Sequence, residues 1–303
     1  MYAIMLALLP IFLTILAGAG CRRYGFPDNA FWQPAARFTY YVFFPALIIT
    51  RLATTDLSGI AFGAITLALA IPICLIAGSM LLLRPLFAVD NPAFTSLFQG
   101  SIRMNTYVGL AGAAALYGDL GLALAALALM ILIPLVNVLS VVVLTHYVGV
   151  QQLRLGTTLL AIMRTPPVAA CVLGILLNLT GVGLPPVLAE LLEIAARAAL
   201  PLGLLTVGAA LDVRAVRGTG SAVLVVSALK LGVLPMLTTG ACLMLGVTDE
   251  ARAITILFAA LPGAPAAYLL AQELGGDVRL IAAIVTVQTA LAAFTIPLVA
   301  LLW

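Results

Sequence analysis

The stretch GSIRMNTYVGLAG, Gly100 to Gly112, sets an arginine and an asparagine in the middle of an apolar run, beside several residues that weaken a helix. A second stretch, LPGAPAAYLLA, Leu261 to Ala271, interrupts another apolar run with Pro262 and Pro265 around Gly263. Each proline removes an amide donor and frees a carbonyl upstream, and the glycine gives the chain room to unwind. Both stretches read as membrane-spanning helices broken near their middles. The alternative is a pair of ordinary kinked helices, because proline and glycine are common in membrane spans.

The surrounding composition demands a membrane. Of 303 residues, 64% are hydrophobic and only 8% charged, against about 25% charged in soluble domains. Mean hydropathy is +1.24, so too little polar surface exists to clothe a water-soluble core. Apolar runs fall at about 3–21, 33–52, 60–83, 93–116, 120–145, 157–179, 186–210, 219–245, 251–271 and 279–302. Each is near the length of about 20 residues that crosses the hydrocarbon, and roughly ten crossings use about 200 residues. The runs are continuous rather than alternating, which selects helices over barrel strands. The opening MYAIMLALLPIFLTILAGAGC lacks the basic region of a cleaved signal peptide and reads as the first span.

With the N-terminus outside, Arg22, Arg23, Arg84, Arg154, Arg214, Arg217 and Arg279 fall in cytoplasmic connections, and only Arg51 and Arg252 fall outside. That bias predicts that both termini face away from the cytoplasm. A shift of 156 residues superimposes Gly25 on Gly181, Pro45 on Pro201, Ala53 on Ala209 and Asp56 on Asp212, and a nearby shift pairs LYGD, Leu116 to Asp119, with LGGD, Leu274 to Asp277. The expected fold is therefore an all-α membrane protein of ten transmembrane helices in two inverted five-helix repeats. The repeats are residues 1–149 and 150–303, and the broken fourth and ninth helices cross. Inverted repeats let two halves exchange inward- and outward-open states, and substrate then sits near the midplane at the breaks.

Charge inside a span is costly, so each instance needs a role. Arg103 offers a guanidinium fork that matches a carboxylate; otherwise it snorkels or ties carbonyls together. Asn105 can donate to a substrate and accept from freed backbone groups. Lys230, the only lysine, pairs with substrate, takes the place of a bound cation, or is tied to carbonyls of a broken helix. Asn137 and Gln288 either line the cavity or bond a neighbouring helix. Pro262, Gly263 and Pro265 complete the candidate binding set. Arg37 and Glu193, opposite one another under the 156-residue shift, are expected to form a structural or gating ion pair between the halves.

Enzymatic signatures fail. SALK, Ser227 to Lys230, mimics a serine nucleophile motif that would need a second lysine. There is no G-x-S-x-G, H-E-x-x-H, P-loop or dinucleotide fingerprint in the sequence. The single His146 has no metal partner in the sequence, and Cys21, Cys74, Cys171 and Cys242 are scattered through apolar segments. No basic tract suggests nucleic acid.

The strings FPALIITRLATTDL (Phe44 to Leu57), RMNTYVGL (Arg103 to Leu110), LYGDLGLALA and IPLVNVLSV in the fifth span, LPLGLLTVGAALD (Leu200 to Asp212), LPGAPAAYLLAQELGGD (Leu261 to Asp277) and VTVQT (Val285 to Thr289) together resemble the auxin efflux carrier family, which includes bacterial malate and malonate permeases. The resemblance implies the ten-helix inverted-repeat fold, similar to that of bile-acid sodium symporters, and carriage of a small carboxylate. It also implies that Asn105 and the Pro262–Pro265 turn hold the substrate carboxylate. The expected function is a secondary transporter of a small organic anion, such as a dicarboxylate, in a bacterial inner membrane. It needs no cofactor beyond proton or sodium coupling and has a homodimer as a permitted assembly. A cation/proton antiporter of related fold would need a midplane carboxylate; no Asp lies in the core of any span, and only Glu190 and Glu193 come close. A non-transporting sensor or intramembrane enzyme is the remaining alternative.

Overall fold

The computed structural model describes residues 2–57, 60–149, 165–217 and 220–300, and every regular element among them is helical. Helix α1 is Tyr2–Arg23. Helix α2 runs through Asn29–Phe38, a π turn at Thr39–Phe43, and Phe44–Thr54. Then come α3 at Phe62–Leu82, α4 at Asn91–Ile102, α5 at Thr106–Val148, α6 at Pro166–Thr180 and α7 at Pro186–Ala210. Helix α8 spans Ser221–Met244 with a π turn at Leu229–Val233. The chain finishes with α9 at Asp249–Ala260, α10 at Ala266–Leu274 and α11 at Val278–Val299. Side-chain caps start several of these. Asp90 accepts from the Ala93 amide at 2.9 Å, and Asp277 from the Leu280 amide at 2.9 Å, filling donors that a helix start leaves open.

Helix α5 is 43 residues long, about 65 Å if straight, twice what the hydrocarbon needs. It folds back on itself at Tyr117 (φ −135°, ψ 15°) and Gly118 (φ 55°, ψ −136°). Only glycine adopts the Gly118 conformation without strain. The arms 106–116 and 119–148 then touch so closely that a β carbon on Gly121 would collide with the Ala113 carbonyl.

Among the described residues, six helical stretches are long and apolar enough to cross a membrane: Ile4–Arg23, Phe62–Leu82, Asn91–Val148, Pro186–Ala210, Ser221–Met244 and Val278–Val299. The sequence reading expects ten. The difference has visible causes. Asn91–Val148 is one stretch that contains both an interruption and the fold-back. Arg37, Arg51 and several other polar residues make α2 less apolar than the six, a break separates α9 from α10, and the first residues of the expected sixth span lie outside the described residues.

The helices sort into two packed groups. Helices α1, α2, α6 and α7 pack on one another, α3, α4, α8, α9, α10 and α11 form the other group, and α5 touches both. Inside the first group the contacts come in related pairs. Gly18 of α1 lies against the Leu205 carbonyl of α7, and Gly174 of α6 lies 3.4 Å from the Ile49 backbone of α2, measured from where a β carbon would stand. The Arg22 guanidinium donates to the Ala209 carbonyl, while the Asn178 amide donates to Leu52 and Thr55 carbonyls at 2.9 and 2.8 Å. Gly18 and Gly174, Arg22 and Asn178, Ile49 and Leu205 are each 156 residues apart. Small residues at both crossings let the backbones approach, as membrane helices require when apolar burial gives no drive to associate.

Candidate functional site

Helix α4 stops at Ile102 because Arg103 (φ −76°, ψ 148°) leaves the helical region. Asn105 (φ −82°, ψ 104°) then starts α5 as its N-cap, its Oδ1 accepting from the amides of Tyr107 at 3.2 Å and Val108 at 3.4 Å. Helix α9 stops in the same manner at Leu261 (φ −65°, ψ 145°), and Pro262 to Pro265 carry the chain without helical bonds to Ala266. The two breaks meet: the Asn105 amide donates to the Pro262 carbonyl at 2.8 Å. A β carbon on Gly109 would fall 2.7 Å from Leu261 and 2.9 Å from the Phe258 ring, so the start of α5 lies hard against the end of α9.

Two further side chains tie down the freed backbone with three hydrogen bonds. The Gln288 amide nitrogen, from α11, donates to the Gly100 carbonyl in the last turn of α4 at 2.9 Å. Its oxygen accepts from the Gly263 amide at 2.8 Å. The Lys230 ammonium, from the π turn of α8, donates to the Ala259 carbonyl in the last turn of α9 at 3.0 Å. A cation there faces the negative end of the α9 dipole. Lys230 and Gln288 are both fully enclosed, at 0% exposure. Of the three roles open to Lys230 in the sequence, the structure places it against the carbonyls of a broken helix.

Arg103 and Asn105 differ from these two. They are buried, at 8% and 1% exposure, yet Arg103 Nε and Nη1 and Asn105 Nδ2 have no hydrogen-bond partner among the described residues. Among the described residues no carboxylate forms an ion pair with Arg103 or Lys230. Buried donors are normally satisfied, and a charged one left alone is costly. The arrangement suits a small acceptor-rich anion.

Sequence reasoning missed three residues here. Gln99 lies one turn before Arg103, fully buried with both amide atoms unpartnered; the i, i+4 spacing to Arg103 was the available signal. Tyr40, on the π turn of α2, lies within electrostatic reach of Arg103 and hydrogen bonds to the Thr165 side chain. Tyr107 stacks obliquely on Phe44, ring centroids 5.3 Å apart, and its ring lies directly against Gly203. No local pattern announces either tyrosine. They bring the first helix group up to the crossing, and π turns inside α-helices recur at such positions.

Other candidates stand apart. Asn137 is half-buried on the 119–148 arm and takes part in none of the crossover hydrogen bonds described above. The expected partnership of Arg37 with Glu193 needs correction. Arg37 is exposed, whereas Glu193 pairs with Arg51 at 3.0 Å and Arg197 at 3.5 Å, and Arg51 also reaches Asp119 at 3.3 Å. Near the start of α7, Glu193 meets the end of α2, and Arg37 sits about four turns, or roughly 20 Å, earlier on that helix.

Comparison with known proteins shows likeness to membrane transporters. The model of a family described as "Membrane transport protein" matches residues 150–300. An uncharacterized transporter from Methanothermobacter thermautotrophicus is 29% identical over 269 residues, covering 86% of this chain and 86% of the relative.

Proposed function

From the likeness of residues 150–300 to a family of membrane transport proteins and of the chain to an archaeal transporter, we propose that the chain is a transporter rather than an enzyme and that it carries a small organic anion by alternating access. The anion binds where the two helix breaks cross. One observation carries the reading: three donor atoms on Arg103 and Asn105 stand buried and unpartnered beside the Asn105–Pro262 contact. A carboxylate would take the Arg103 fork and the Asn105 amide together. With Lys230 of α8 bonded to the nearby end of α9, the site carries two positive charges, which favours a dicarboxylate such as malate or malonate.

The proposed architecture is ten crossings in two inverted halves. Its support is the pairing of contacts at a constant shift and the matching place of each break in its half. The helix group of α1, α2, α6 and α7 would remain as the frame against which the other group moves. Arg84, Asn91, Tyr147 and Asp277 gather at one end of the bundle with Arg217 and Arg279, and Arg51, Asp119 and Glu193 at the other. The arginine-rich end suits the cytoplasm, which leaves both termini outside a plasma membrane.

Carriers with broken helices hold coupling cations at half-helix C-terminal ends. The Lys230 ammonium occupies that place on α9, so transport should run without sodium. Counterflow of labelled malate in proteoliposomes tests the reading. Native protein should exchange it, and Arg103→Ala should lose exchange about 30-fold or more while remaining folded, as expected for losing one partner of a buried charge contact. Full exchange by Arg103→Ala would remove the anion from the crossover.

A further inference from the structure

Gln288 has both ends of its amide committed, and to different breaks. Its donor holds the Gly100 carbonyl at 2.9 Å, three residues before Arg103, and its acceptor holds the Gly263 amide at 2.8 Å, next to the Pro262 carbonyl that receives the Asn105 amide. We infer that Gln288 is the positioning residue of the anion site: it touches no substrate, and it sets the register in which Arg103 and Asn105 present their donors. This rests on the reading that the crossover binds the anion.

The geometry leaves little choice. The α4 end and the Gly263 turn belong to opposite halves of the chain, and each freed polar group near them needs a partner in a dry interior. One primary amide bridges the pair because it offers a donor and an acceptor on a single rigid plane. Gly263 is confined by the same contact, since a β carbon there would lie 2.9 Å from the Gln288 oxygen and 3.3 Å from Val285. Gly100 is confined in turn by Ile284 at 2.7 Å, one helical turn before Gln288 on the same helix. Helix α11 therefore holds both breaks with one face. The Asn105–Pro262 bond spans the remaining gap, and losing Gln288 frees the two breaks to slide against one another around it.

A residue that positions the site affects every anion alike, whereas a residue that touches substrate distinguishes anions of different length. The test is uptake of labelled malonate and labelled malate into proteoliposomes by Gln288→Met, Gly263→Ala and the double variant. Gln288→Met keeps the length and apolar volume and removes both hydrogen bonds. Its KM should rise about tenfold for both anions by the same factor, with the maximal rate within about twofold. Gly263→Ala displaces the amide while Gln288 is still present and should raise KM similarly, and the double variant should be no worse than the poorer single. Unaltered KM in either single variant, additive effects in the double, or different factors for malonate and malate would each overturn the assignment. Should Gln288→Met not fold, the Gly263→Ala arm alone decides between equal elevation and none. Arg103→Gln run beside them separates the two levels: if its KM is native, the crossover is not the anion site, and the assignment falls with it.

Discussion

The break at Arg103–Asn105 and the break at Leu261–Pro265 hold corresponding places in the two halves of the chain, and they are made from opposite materials. The first is built by side chains. Asn105 caps the following helix with its own oxygen, and Arg103, whose backbone amide still donates to the Gln99 carbonyl, leaves Nε and Nη1 of its fork without a partner among the described residues. The second is built by backbone: two prolines withhold amides, and the amide of Gly263 between them goes to Gln288. So one break ends with spare donors, and the other ends with its donor consumed and its C-terminal carbonyl occupied by Lys230. Two interruptions of similar shape thus give one face with spare donors and one whose polar groups are met. An arrangement with spare donors on both sides would leave more buried polar groups unmet than a folded interior tolerates.

That contrast can be broken in steps. Removing the charge from the proline-made break should matter most. Lys230→Met leaves the α9 end uncapped, and a charge about 10 Å from a bound carboxylate contributes roughly 1.5 kcal/mol at an effective dielectric of about 20. Anion affinity measured by titration should fall about tenfold, with the protein still monodisperse; unchanged affinity would confine the attraction to Arg103. Next comes the cap. Asn105→Ala loses two backbone contacts, and thermal unfolding should report about 1 kcal/mol less stability together with weakened anion binding. A loss of stability with native binding would make Asn105 a cap and nothing more. The smallest effect belongs to Pro265→Ala. Pro262 and the Gln288–Gly263 bond keep the second break open without it, so stability should change by less than about 1 kcal/mol and transport should stay near native. A large loss would show that Pro265 carries the break.

The breaks were legible in the sequence because their causes are local. Arg103 and Asn105 close together in one apolar run, and Pro262, Gly263 and Pro265 in another, mark the breaks by clustering, whereas single prolines such as Pro72 and Pro201 lie inside helices. The helical class was legible for the same reason. Partnerships across the fold were not. Gln288 lies 188 residues from the Gly100 carbonyl it holds, and nothing in VTVQT distinguishes a bridge from a cavity wall. The choice of Arg51 over Arg37 for Glu193 depends on how far α2 and α7 overlap, which a sequence shift sets only to within several turns. Tyr40 depends on a π turn that has no composition of its own. Gln99 was within reach, one turn from Arg103, and was passed over because glutamine in a helix is ordinary.

The central claim is that the crossing of the two breaks is an anion site whose fork is Arg103. Isothermal titration of purified native protein and Arg103→Gln with malonate, and with its neutral diamide, tests it most directly. The account predicts that native protein binds malonate and not the diamide, and that Arg103→Gln, folded and equally stable to heat, binds malonate at least about 30-fold more weakly. Equal malonate binding by native and Arg103→Gln proteins would contradict it.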